Sequence, residues 1–101
     1  MSIIHAELVN GAARHIAGAR ACAHADARRD RFIDCAVSTL RALRGSLDLT
    51  SGDTMAASLD DLYEYMSAQL RKAQHQGCSA PLAEVSDLLN EIRMAWFAVP
   101  R

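Results

Sequence analysis

Apolar residues recur along this chain at steps of three and four, the spacing that builds one greasy side on a helix. In the first segment Ile4, Leu8, Ala12, Ile16, Ala19 and Ala23 follow it. Phe32, Ile33, Ala36, Val37, Leu40, Leu43 and Leu47 form a second run, and Met55, Leu59, Leu62, Tyr63, Met66, Leu70 and Ala73 a third. Leu82, Val85, Leu88, Leu89, Ile92 and Trp96 make a fourth. Four amphipathic helices are predicted, and short connections between them imply an all-α, antiparallel up-down four-helix bundle.

The breaks carry their own signals. Gly77 follows the polar run Gln74-His75-Gln76 and reads as a helix end, with Ser79 and Pro81 opening the next helix. Thr50-Ser51-Gly52-Asp53 reads as a turn in which Ser51 or Asp53 caps the third helix. The first break has neither Gly nor Pro and is placed at Asp26. Prolines stand only at 81 and 100, so no proline interrupts the first three helices.

Composition sharpens this picture. Of the 101 residues 19 are alanine, the best helix former, and β-branched and aromatic residues are scarce, which argues against a sheet. The length predicts one domain over residues 1–101, with little room for a deep catalytic cavity beside a stable core. Gly11 and Gly18, seven apart in the first helix, imply a close approach there, by a neighbouring helix of the bundle or by a partner's helix.

Net charge is −1, giving no electrostatic reason to expect nucleic acid. Residues 1–45 hold seven Arg/Lys against four acids, and residues 46–101 hold four against eight, so the halves attract one another. Cys22, Cys35 and Cys78 form no CxxC and suit a reducing cytoplasm. No signal peptide and no membrane span are evident.

Chemistry finds little purchase. The histidines at 5, 15, 24 and 75 contain no i,i+4 pair or HExxH, and no G-x-S-x-G or phosphate loop occurs. Asp60, Asp61 and Glu64 cluster on one helix, where dipole and solvation account for them. No catalytic residue, metal or cofactor is expected, and the chain reads as a non-enzyme.

The remaining candidates are apolar residues in excess of core needs. The first helix carries a second set, Ala6, Val9, Ala13 and Ala17, and Phe32–Ile33, Leu62–Tyr63, Leu88–Leu89 and Trp96–Phe97 are adjacent pairs that a narrow seam cannot bury together. The excess is expected to line grooves fit for a partner's amphipathic segment, where Tyr63 and Tyr65 would turn their hydroxyls to water.

One stretch has a more specific order. Ser46-Leu47-Asp48, Gly52, Leu59-Asp60-Asp61-Leu62-Tyr63-Glu64-Tyr65-Met66, Glu84-Val85, Leu88-Leu89 and Trp96 follow without a gap the pattern SLD…G…L..LYDYM…EV..LL..LR.AW. Leu8-Val9-Asn10-Gly11-Ala12 is similar to LYDGA. The chain therefore resembles the flagellar export chaperone family, FliS. The resemblance implies a cytoplasmic helical bundle that binds the disordered C-terminal region of flagellin, one to one. The region becomes helical as it wraps the chaperone, which blocks premature filament assembly and keeps the subunit competent for export. A component of the export gate is a further implied partner.

Expected client contacts are Ile4, Leu8, Ile16, Phe32, Leu40 and Tyr65. The sequence departs from the family at its start. Members carry some twenty residues ahead of the first long helix, able to cover the binding surface, whereas Met1 stands almost at the helix start here. His5 replaces an aliphatic residue, and Val9 and Asn10 replace Tyr and an acid. An uncapped groove predicts a homodimer when no client is bound. The alternative is a structural or regulatory bundle that acts by dimerising or by binding a partner other than flagellin.

Overall fold

Asp26 sets the first corner of the chain. Its backbone is extended (φ −77°, ψ 120°) and its side chain accepts the Arg28 N–H at 2.9 Å, so it caps the second helix at the break the sequence predicts. The computed structural model describes residues 3–50, 52 and 54–96. These form α1 (Ile3–Ala21), α2 (Ala27–Gly45), α3 (Thr54–Gln76) and α4 (Ala80–Trp96), with no strand among the described residues.

Local chemistry explains the other ends. Ser46 closes α2, its N–H bonding to Ala42 O at 3.1 Å and its hydroxyl donating to Leu43 O at 2.7 Å. Gly77 ends α3 with φ +63°, a left-handed backbone that a side chain would disfavour. At α4 the Ser79 carbonyl accepts from Leu82 and Ala83, and Pro81 sits in the first turn, where its missing N–H is not needed. The cap candidates Ser51 and Asp53 lie outside the described residues.

The four helices share one core and pack in a ring, α1 against α2 and α4, and α3 against the same two. On α1 the inner line is Val9, Ala12, Ile16 and Ala19; on α2 it is Ile33, Ala36, Val37, Leu40 and Leu43. The adjacent apolar pairs divide their labour. Ile33, Tyr63 and Leu89 are buried, while Phe32, Leu62 and Leu88, about 100° round the helix, are half-buried at the seams. Of the fourth pair, the Trp96 side chain and Phe97 lie outside the described structure.

Two polar side chains enter the interior. Arg29 is 3% exposed and donates to Cys78 O at 2.7 Å and Ala73 O at 3.4 Å. It serves a carbonyl in the last turn of α3 and another just beyond the helix, where a cation also meets the negative end of the dipole. His5 is 6% exposed and reaches both the Tyr63 hydroxyl (2.8 Å) and Ser46 Oγ (3.2 Å). Because α1 and α3 do not pack on each other, the His5–Tyr63 bond crosses the middle of the ring.

Candidate functional site

Gly18 and Phe32 define the seam between α1 and α2. The Phe32 ring lies on the α1 backbone at Gly18, where an added Cβ would stand 2.6 Å from ring Cε1. A neighbouring helix of the bundle therefore explains Gly18. Gly11 differs: a Cβ there would meet nothing nearer than Arg14 Nη2 at 3.8 Å, so its surface is open.

Around the ring runs an apolar groove of about 310 Å³ lined by His15, Arg28, Arg31, Phe32 and Cys35. Ile4, Leu8, Gly11, His15 and Gly18 recur at three- and four-residue steps and fall on this same side of α1. Arg28 at the rim is held by Asp26, Nη2 to Oδ2 at 2.8 Å. That side-chain hydrogen bond is the main reason the Asp26 carboxyl is lowered to about 2.

The six expected contact residues do not gather into one patch. Ile4 is 68% exposed and Leu8 is half-buried against the core, both on the α1 side that carries Gly18. Phe32 floors the groove. Tyr65, 45% exposed, stands apart on the α3–α4 seam, where its hydroxyl donates to Glu84 Oε1 at 2.9 Å beside Gln69 Nε2 at 2.7 Å. The two bonds, Gln69's first, hold the Glu84 carboxyl below its ordinary range, and the bond to Glu84 raises the Tyr65 hydroxyl.

Ile16 and Leu40 are corrections. Both are fully buried, on the inner lines of α1 and α2, and offer a partner no surface in this conformation. Tyr63 is a third correction: it is fully buried, and its hydroxyl bonds His5 rather than water.

Three further features stand on the surface. A second trough, of about 490 Å³, runs between α1 and α4 and is lined by Asn10, Ala13, Arg14, Ala17 and Arg93. The set Ala6, Val9, Ala13 and Ala17 pointed towards it, although Val9 turns into the core. Leu49 and Met94 are exposed apolar side chains that no spacing singled out, and Met55, from the third periodic run, is exposed as well. The carboxylates of Asp60, Asp61 and Glu64 come within 4.8 Å of one another and face a cation already in place. Arg44 Nε lies 2.8 Å from Asp60 and Nη2 lies 3.4 Å from Glu64.

The family model of flagellar protein FliS matches residues 4–101. The chain belongs to the FliS family. Over 65 residues it is 40% identical to the flagellar secretion chaperone FliSB of Pseudomonas aeruginosa, and 32% identical to the flagellar secretion chaperone FliS of Vibrio cholerae. Each match takes in 64% of this chain, and 52% and 48% of those two relatives, so the chain spans about half the length of the FliS relatives it matches. Among the described residues of this FliS-family chain, no helix is long and apolar enough to cross a membrane.

Proposed function

We propose that this FliS-family chain is a flagellar export chaperone that binds the disordered C-terminal segment of flagellin, one to one, in the bacterial cytoplasm. Binding prevents premature polymerisation and keeps the segment fit for type III secretion. The observation that carries the reading is the apolar α1–α2 groove floored by Phe32, in a chain matched by the FliS model over residues 4–101.

The groove suits an amphipathic segment that folds as it docks. Ordering such a segment costs roughly 2–5 kcal/mol of the gross interaction, which keeps specific binding reversible at the export machinery. A component of the export gate is a further partner in this reading. Ile4, Leu8 and Phe32 form the main contact line, and Tyr65 on the α3–α4 seam is a second station for a segment long enough to wrap. The role is a binding one, with no catalytic step.

The up-down, antiparallel course of the helices belongs to the same reading. Its support is the order of cross-helix contacts. Arg71 meets Asp34 and Arg44 meets Asp60, so partners rise along α2 as they fall along α3. His5–Ser46 and Gly18–Phe32 step the same way between α1 and α2.

Titration with a peptide of the flagellin C-terminal segment tests the assignment. Heat release and a gain in helical circular dichroism are expected, with Phe32→Asp weakening affinity at least tenfold, about 1.4 kcal/mol. Absence of binding at tens of micromolar protein would sink it. Self-association through the same apolar surface is the rival reading. It predicts an oligomer that grows with protein concentration and that the peptide leaves intact.

A further inference from the structure

The hydrogen bonds around His5 have a direction. The Ser46 hydroxyl gives its single proton to Leu43 O at 2.7 Å, so its oxygen accepts the Nδ1–H of His5 at 3.2 Å. The ring's one proton is thereby on Nδ1, and Nε2 accepts the Tyr63 O–H at 2.8 Å. Protons run from Tyr63 to His5, from His5 to Ser46, and from Ser46 to the end of α2. Only a neutral imidazole fits this chain.

A second proton on the ring turns Nε2 into a donor facing another donor. Tyr63 is fully buried, so an O–H turned away from the ring points into an apolar core. Ionising Tyr63 offers no escape, because burial pushes its hydroxyl up to about 12.

Burial, and then the positive charge of the α-amino terminus, lower the His5 pKa from 6.5. On α1 the adjoining ionisable side chain is Glu7, which is exposed. From α2 comes Arg44, turned to Asp60 and Glu64 of α3. On α4, Glu91 and Arg93 are exposed, and Arg93 faces the α1 residues Asn10 to Ala17.

We propose that His5 is a positioning residue: neutral, it fixes the first turns of α1, and with them Ile4 and Leu8, and on acidification it lets them go. An aliphatic side chain at position 5 could neither make these bonds nor titrate. The consequence for a client rests on the reading of Ile4 and Leu8 as contact residues; the latch itself does not.

Amide hydrogen exchange of the full chain, corrected for intrinsic rates, tests it at pH 7.5 and 5.5. The informative amides are those of residues 8–12, whose helical partners are the carbonyls of residues 4–8. The wild type is expected to open up to about tenfold more often at the lower pH, the ratio for a histidine that titrates at its ordinary value when open and stays neutral when closed. His5→Leu removes the titration and is expected to give no such rise. Should that variant fold poorly, His5→Gln, which keeps a donor and an acceptor without titrating, gives the same flat response. Equal rises in wild type and His5→Gln, or no rise in the wild type, would overturn the proposal. In parallel, affinity for the flagellin C-terminal peptide should fall over this pH interval in the wild type and hold steady in His5→Gln. If no peptide binds at either pH while the exchange contrast persists, the latch stands and the chaperone reading fails.

Discussion

Replacing Gly18 with alanine puts a methyl carbon 2.6–2.8 Å from three carbons of the Phe32 ring. Carbon atoms rest about 3.5–4.0 Å apart, so the ring must retreat by about 1 Å or the helices must part. Overpacking of this kind costs about 1–3 kcal/mol. Against it stands the removal of a helix-interior glycine, which gains roughly 0.5–1 kcal/mol. The net expectation for Gly18→Ala is a loss reaching about 2 kcal/mol. Gly11→Ala is the internal control, because its new methyl meets only Arg14 Nη2, at an ordinary 3.8 Å. It should stabilise by roughly 0.5–1 kcal/mol. The two variants, identical in chemistry and seven residues apart on one helix, should therefore separate by about 1–3 kcal/mol, a shift of roughly 1 M in the urea midpoint. In a Phe32→Ala background the obstacle is gone and Gly18→Ala should behave like Gly11→Ala, a coupling that a double-mutant cycle measures directly. The reasoning fails if Gly18→Ala alone stabilises as much as Gly11→Ala.

Two further outcomes follow from the helix ends. Arg29→Met leaves the buried carbonyl of Ala73 and the half-buried carbonyl of Cys78 without this donor, and should cost about 1–3 kcal/mol in chemical denaturation; a loss too small to measure would mean that water replaces the guanidinium. The Asp26 carboxyl, lowered to about 2 chiefly by the Arg28 side-chain hydrogen bond, sits below its ordinary 3.8 when folded. Its contribution is thus present above about pH 4 and lost as pH falls towards 2, so the melting temperatures of wild type and Asp26→Ala should converge there. A gap that stays constant from pH 7 to 2 would refute the carboxylate as its source.

The helices were legible because they depend on local rules. Asp26 as a break, Gly77 as a stop and Ser79 with Pro81 as a start each act over a few residues, and the structure places them where the sequence predicts. Choosing the surface was harder. Ile16 and Leu40 belong to the periodic stripe that identifies the helix in the first place, and that stripe is the one facing the core. Phe32, Leu62 and Leu88 were better guides, since each is the surplus member of an adjacent pair. Tyr63 and His5 were opaque for a different reason. Their bond spans 58 positions, and nothing local marks either residue as the other's partner. Gly18 was legible as a close approach, but only coordinates tell that a ring from α2 fills it while Gly11 stays open.

The His5–Tyr63 bond also bears on how the chain finds a single alignment. The inner line of α1 is Val, Ala, Ile, Ala, a shallow corrugation with few large knobs to lock into its neighbours. Such a surface tolerates slippage along its axis, because apolar contact depends weakly on which residue meets which. A hydrogen bond at 2.8 Å does not. A shift of α1 by one turn, 5.4 Å, would strand an imidazole and a phenol in hydrocarbon. The pair therefore acts as a keel pin, fixing the register of an otherwise smooth helix.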